Sequence, residues 1–220
     1  MDVQKNRNTA LQIVILYILV QLLTVIVGQL LPESIRTVGV IWTNMLLFAL
    51  GAILMIYITH KRNFTLSFEQ PFRQDGGMII TWGILGVFIA LFAQGAAAII
   101  EINFLGTPID SQNTQTLLAI IEQYPYFILL TSITGPIMEE FVFRKAVFGM
   151  AVGKIGAVGA AVVSSLLFAM IHFDGRILVY STMGLVFSWL YYKTKNIWTP
   201  IIAHCLMNSI VAISNIIQIN

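Results

Sequence analysis

The chain has 220 residues, of which 58% are hydrophobic and only 10% are charged, and its mean hydropathy is +0.86. A soluble domain is typically about half apolar and roughly a quarter charged, so this chain has too few polar side chains to cover a water-facing surface. The composition therefore excludes an ordinary soluble domain. The net charge of +2 gives no indication of a nucleic-acid partner.

Apolar segments without charged residues recur along the chain, and each reaches the roughly 20 residues that a helix needs to cross the hydrocarbon core. These charge-free segments are residues 10–31, 37–59, 76–100 and 197–219. Shorter apolar segments at 155–173 and 177–192 are expected to be spans as well. The pattern predicts an all-α, polytopic transmembrane helix bundle that forms one integral membrane domain over residues 1–220.

Residues 116–150 decide between seven and eight spans, because this apolar segment is too long for one straight crossing. Gly135-Pro136 is expected to break or kink it, since proline removes a backbone donor and clashes with the preceding turn. One hinged crossing gives seven spans in total, whereas two crossings give eight.

We expect the protein to lie in the cell membrane. The placement of its basic residues predicts that the N-terminus is on the cytoplasmic side, because cytoplasmic loops carry an excess of lysine and arginine. In the seven-span arrangement only Arg36 and Arg176 lie outside. The cytoplasmic set is Lys5, Arg7, Lys61, Arg62, Arg73, Lys154, Lys193 and Lys195. The surrounding partner is therefore expected to be the lipid bilayer.

Few ionisable side chains remain inside the predicted spans. Acidic residues in or near loops are Asp2, Glu33, Glu69, Asp75, Glu101, Asp110, Glu122 and Asp174. Only Glu139 and Glu140 are left, together with His172, His204 and Asn208 in apolar segments. Ionisable groups at membrane depth are expensive and normally face a partner or a cavity, so these residues are functional candidates.

Helical spacing sorts these candidates. Glu140 and Arg144 are four residues apart and share a face, which permits an ion pair. Glu139 lies about 100° further round the helix and can point elsewhere. His204 and Asn208 are also four residues apart, so they can direct two hydrogen bonds towards one point.

The chemistry of this set suits hydrolysis of an amide bond. A carboxylate and an imidazole, such as Glu139 and His172, can hold a water molecule and remove its proton. Phe168, four residues before His172, is expected to pack beside the imidazole. His204 and Asn208 can donate hydrogen bonds to the oxygen of a tetrahedral intermediate.

Three short motifs carry a resemblance to a known family. "EEFVFR", "FAMIH" and "HCLMN" match the patterns EExxxR, FxxxH and HxxxN in that order, on three apolar helices. The chain resembles the CAAX-processing type II endopeptidases and their bacterial relatives, the CPBP or Abi family. The resemblance covers residues 115–215, which are expected to form the peptidase core.

The resemblance implies an intramembrane endopeptidase, with helices around a polar cavity, that cuts a membrane-associated protein or peptide. No cofactor is expected, because Asn208 is a poor zinc ligand that the role in oxyanion binding explains. Carried over by motif position, Glu139 activates water with His172. His204 and Asn208 form the pair that stabilises the oxyanion. The supporting residues are Glu140, Arg144 and Phe168.

Two other functions remain open from the residues themselves. Glu139, His172 and His204 are acceptable zinc ligands, so a zinc-dependent peptidase is possible, although no HExxH pattern is present. A non-catalytic membrane scaffold, such as a bacteriocin-immunity factor, or a proton-coupled transporter can also contain buried charged residues. No internal repeat is visible in the sequence, which disfavours a transporter.

Overall fold

A computed structural model describes residues 3–69, 76–109 and 111–219. Most of these residues are helical and none of them forms a strand, which confirms the predicted all-α class. The α-helices are α1 (Val3–Leu30), α2 (Glu33–Lys61), α3 (Gly76–Leu105), α4 (Gln112–Gln123), α5 (Gly135–Glu139), α6 (Gly149–Met170), α7 (Ile177–Thr194) and α8 (Trp198–Ile219). A 3₁₀ turn (Pro125–Phe127) and two π-helical segments, π1 (Leu130–Thr134) and π2 (Glu140–Phe148), connect α4 to α6.

Five helical segments are long and apolar enough to cross a membrane: α1, α2, α3, Pro125–Met170 and Trp198–Ile217. The 46-residue segment Pro125–Met170 is divided at Gly156, whose backbone is not helical (φ 74°, ψ 168°). When this division is made and α7 is included, the described residues contain seven long helical segments, consistent with the predicted seven or eight spans. The cytoplasmic position of the N-terminus stays a prediction. Four charged residues used in the sequence analysis lie outside the described residues: Asp2, Arg73, Asp75 and Asp110.

The sequence analysis expected a break or a kink at Gly135-Pro136, and the structure shows no break there. Instead the chain changes from π-helical to α-helical geometry there, because the N–H of Gly135 bonds to the carbonyl of Leu130. A Cβ atom at residue 135 would lie only 3.0 Å from that carbonyl oxygen, so glycine permits the wide turn. The breaks occur between α4 and Pro125 and at Gly156.

The helices pack as two groups around the central segment formed by π1, α5 and π2. Helices α1 and α2 pack against each other, with α1 also against π2 and α2 against π1 and α5, whereas α3 packs against α7 and α8. Small residues allow the closest approaches. A Cβ at Gly51 would lie 2.7 Å from Met138, and one at Gly184 would lie 2.8 Å from Ser165.

Two acidic residues that the sequence analysis set aside as loop residues are buried and paired. Glu101 lies inside α3, where it accepts hydrogen bonds from the backbone of Leu178 and pairs with Arg176 at 3.3 Å. Glu69 lies in the segment after α2 and accepts hydrogen bonds from Lys145 at 2.6 Å and from the hydroxyl of Tyr191 at 2.7 Å. Their partners are more than 70 residues away in sequence, so local patterns could not identify the burial.

Replacement of Tyr191 by phenylalanine is expected to destabilise the fold by about 1.5–3 kcal/mol, the usual value of a hydrogen bond to a charged group. The ring of Tyr191 is fully buried, so phenylalanine keeps its packing and removes only the hydroxyl. The measurement is equilibrium unfolding in detergent micelles. Tyr57→Phe, at an exposed tyrosine of α2, serves as the control. Equal stability of Tyr191→Phe and wild type would contradict a role for this hydroxyl.

Candidate active site

The four residues predicted to be catalytic line one cavity of about 410 Å³. Glu139 ends α5, His172 follows α6, and His204 and Asn208 lie one turn apart on α8. The three supporting residues do not line this cavity. Glu140, Arg144 and Phe168 are fully buried behind it.

His204 lies between the two glutamates of the EExxxR motif. Its Nδ1 is 2.9 Å from Oε1 of Glu140, and its Nε2 is 3.8 Å from Oε2 of Glu139. The first distance is a hydrogen bond and the second is not. A water molecule at the ordinary distance of about 2.8 Å from both Nε2 and Oε2 would bridge them. Both side chains line the cavity, so a carboxylate and an imidazole are at the correct separation to share one water molecule.

The imidazole of His172 is held in place by three contacts. Its Nδ1 lies 2.8 Å from the carbonyl oxygen of Phe168, so this nitrogen carries the proton and donates it. The ring stacks on Tyr180 with centroids 3.7 Å apart, and the Phe168 ring contacts it edge-on at 4.8 Å. The hydroxyl of Tyr180 donates to Asp174 at 3.1 Å, which anchors the stack. The remaining nitrogen, Nε2, is left with a lone pair for accepting a proton.

Asn208 donates one amide N–H to the carbonyl of Thr131, in π1, at 3.1 Å. Pro136, five residues after Thr131, has no N–H and cannot close the π-helical bond to that carbonyl. The side chain of Asn208 thus compensates for the missing donor, because a buried carbonyl normally needs a partner. Its second N–H remains available to a group in the cavity.

Glu140 and Arg144 form the buried ion pair that the spacing predicts, with Nε and Oε2 3.3 Å apart. The alignment is too poor for a hydrogen bond, and no nitrogen of the guanidinium has a hydrogen-bond partner among the described residues. The guanidinium instead lies 4.4 Å from the centre of the Phe168 ring and 5.4 Å from that of Phe187. Its charge is therefore compensated by a carboxylate and by two aromatic faces.

Phe187 is a supporting residue that the sequence analysis missed. Besides its contact with Arg144, its ring stacks on His204 with centroids 4.6 Å apart and an interplanar angle of 21°. Phenylalanine is common in apolar helices, so a single Phe in α7 carries no signal. Only the fold shows that it lies beside a histidine 17 residues further along the chain.

The potential zinc ligands do not form a metal site. Among the residues that the structure describes, no group of three His, Cys, Asp or Glu side chains is arranged to hold a metal ion. We therefore derive no step that uses a metal.

The first half of the chain also contributes to the cavity, which the sequence analysis did not predict. Tyr17 and Gln21 of α1, Asn44 of α2 and Gln94 of α3 all line it. These residues lie in charge-free spans, and they carry no ionisable group that marks them as expensive at membrane depth, apart from the phenol of Tyr17. Uncharged amides inside an apolar span were the signal that could have identified them.

Comparisons with known proteins place the chain in a family of membrane peptidases. Residues 121–210 match the family model of the Rce1-like type II CAAX prenyl endopeptidases. YdiL of Bacillus subtilis (strain 168), which carries the provisional name of a membrane peptidase, is 37% identical over 187 residues, covering 84% of this chain and 76% of YdiL. The membrane-embedded CAAX protease MroQ of Staphylococcus aureus (strain USA300) is 35% identical over 217 residues, covering 93% of this chain and 88% of MroQ. No solved structure matches significantly.

The family model covers all three motifs, from the two glutamates at 139–140 to the asparagine at 208. Both relatives align with more than four fifths of this chain, so the similarity extends into the first half, beyond the residues 115–215 that the motifs indicated. The chain therefore belongs to the Rce1-like family of type II CAAX prenyl endopeptidases, and it is an integral membrane protease.

Proposed function

We propose that the protein hydrolyses a peptide bond in a membrane-associated protein or peptide with a water molecule activated by Glu139. The observation that carries the proposal is the position of Glu139 at the cavity, with Oε2 3.8 Å from Nε2 of His204 and with no lysine or arginine paired to it among the described residues. Glu140, its neighbour, is compensated by Arg144. Glu140 thus stabilises the fold through its ion pair, and Glu139 is left to activate water.

The reaction needs a base, an oxyanion site and a proton for the leaving amine. Glu139, with His172, takes a proton from water as the water oxygen bonds to the scissile carbonyl carbon. The tetrahedral oxyanion accepts hydrogen bonds from the free N–H of Asn208 and from Nε2 of His204. Because Nδ1 of His204 already donates to Glu140, Nε2 is a donor only when the imidazole is doubly protonated. Transfer of the abstracted proton to the nitrogen of the leaving amine then completes cleavage of the C–N bond.

The cavity and its surroundings support a substrate that is held at the membrane. The cavity lies inside a helix bundle whose spans are apolar, so a soluble protein could not bring a folded segment to Glu139. A peptide segment held at the membrane can enter it in extended form. Among the relatives, MroQ is described as a CAAX protease, and we propose a CAAX-type membrane substrate for this chain as well.

Replacement of Asn208 by leucine is expected to lower kcat by a factor of about 10²–10³, the usual effect of removing one oxyanion donor. KM should change little, because the hydrogen bond forms mainly in the transition state. The measurement is steady-state cleavage of a quenched fluorescent peptide, chosen from a library for cleavage by detergent-purified wild type. Asn215→Leu is the matched control, since Asn215 of α8 bonds to its own helix at Val211 and does not line the cavity. A kcat equal to that of the control would exclude Asn208 from the oxyanion site.

A further inference from the structure

Two uncharged amides in the first half of the chain are at the cavity without hydrogen-bond partners. Asn44 lies in the middle of α2 and Gln94 in the middle of α3, and both line the cavity that contains Glu139. Within the described residues neither side chain makes a hydrogen bond. Each is half-buried rather than exposed. Both side chains line the cavity, where a group bound beside Glu139 can reach them.

The two amides approach the cavity from different groups of helices. Asn44 comes from α2, which packs on α5 and π1, and Gln94 comes from α3, which packs on α7 and α8. The turn that follows each amide also faces the cavity, through Phe48 in α2 and Ala98 in α3. A segment lying in the cavity would thus have an amide available on each side, next to apolar surface.

An unpaired amide is costly in an apolar helix, so the cavity must provide these groups with a partner. Leaving an amide unpaired away from water costs about 1–3 kcal/mol by mutational measures. The partner must match a neutral group that both donates and accepts hydrogen bonds. A lipid chain offers neither donor nor acceptor, and a cation uses only the carbonyl oxygen of an amide. Water satisfies both functions in the empty cavity, and a segment that enters the cavity displaces this water and takes over its hydrogen bonds. A peptide backbone offers an N–H and a carbonyl at every residue, which matches both functions of the amide.

We infer that Asn44 and Gln94 form a substrate subsite that binds the peptide backbone of the segment to be cut. The subsite rests on the proposed function, because it holds the substrate of the same cavity. It acts in binding and takes no part in the chemical step. Because the subsite contacts the peptide backbone, it can hold an extended substrate segment of any sequence. The apolar lining beside the subsite accepts the side chains of that segment.

Asn44→Leu and Gln94→Leu test the subsite with the quenched fluorescent peptide that wild type cleaves. Each variant is expected to raise KM about tenfold, equivalent to loss of one hydrogen bond, while kcat stays within about twofold of wild type. Asn215→Leu is again the matched control. Since leucine is favourable in an apolar helix, the unfolding midpoint of each variant should equal or exceed that of wild type, which separates a binding effect from misfolding.

Backbone recognition is tested directly by methylating the peptide nitrogens one at a time, with the scissile bond left unchanged. At least one N-methyl peptide should show the same rise in KM with wild type, and no further rise with the variant that lacks its partner. The subsite would be overturned if KM were unchanged in both leucine variants. It would also be overturned if the rise in KM caused by each leucine variant added fully to the rise caused by N-methylation at every position. Fluorescence anisotropy measures binding of the same peptide to the Glu139→Gln variant. This measurement distinguishes failure of the subsite from failure of the proposed role of Glu139 as the base. Weaker binding caused by adding Asn44→Leu to that variant supports the subsite even if Glu139 proves not to be the base.

Discussion

Replacement of Glu139 by glutamine is expected to lower kcat for peptide cleavage by a factor of about 10²–10⁴, the contribution of a positioned general base. Glutamine has nearly the same shape as glutamate, and Glu139 makes no hydrogen bond within the described residues that the change would disturb. The variant should therefore remain folded and bind peptide. The measurement is kcat and KM for the quenched peptide, with the unfolding midpoint recorded on the same preparation.

Glu33→Gln is the matched control for this prediction, because Glu33 is an exposed carboxylate at the start of α2. It should cleave the peptide at the wild-type rate. A Glu139→Gln variant as active as Glu33→Gln would remove Glu139 from the mechanism. Wild-type biological function in an inactive Glu139→Gln variant would instead favour the alternative of a non-catalytic scaffold.

Replacement of Arg144 by methionine is expected to destabilise the protein by about 3–5 kcal/mol, because it leaves the Glu140 carboxylate buried without its cation. Both side chains have no exposed surface, so water cannot replace the lost charge. The double variant Glu140→Gln/Arg144→Met should recover most of the loss, since it buries no net charge. The measurement is equilibrium unfolding of both single variants and the double variant in micelles, analysed as a double-mutant cycle.

Measuring the peptide-cleavage activity of the double variant distinguishes the contribution of the ion pair to stability from its contribution to the active site. The double variant should be stable but less active than wild type, because His204 loses the carboxylate that holds its Nδ1. The control is Arg36→Met, which breaks an exposed pair with Glu33 at 4.0 Å and should cost at most about 1 kcal/mol. Equal losses of stability in Arg144→Met and Arg36→Met would contradict the account of the buried pair.

The sequence predicted the helical class and the approximate number of spans because both depend on composition and length. A run of apolar residues such as 10–31 is long enough for a membrane whatever its neighbours. The expected break at Gly135-Pro136 was wrong, because a proline can be accommodated where a wide turn and a side chain from another helix satisfy the freed carbonyl. That side chain is Asn208, which is 77 residues away from Thr131.

The residues brought together at the cavity were predictable only where helical spacing or a motif connected them. The pairs Glu140–Arg144 and His204–Asn208 follow from a separation of four residues. The hydrogen bond between Glu140 and His204 could not be predicted in this way, because the two residues are 64 positions apart in sequence and lie on different helices. The burial of Glu101 beside Arg176 was missed for the same reason, as were the amides of α2 and α3, whose direction is set by tertiary packing.

The central claim is that Glu139 activates water without a metal ion, and the most direct measurement is peptide cleavage by chelator-treated protein. Wild type and Glu139→Gln are treated alike, their zinc content is determined, and both are assayed with the quenched peptide. The account predicts that metal-depleted wild type keeps its full rate while Glu139→Gln is inactive. Loss of wild-type activity on chelation with recovery on addition of zinc, or cleavage by Glu139→Gln at the wild-type rate, would contradict it.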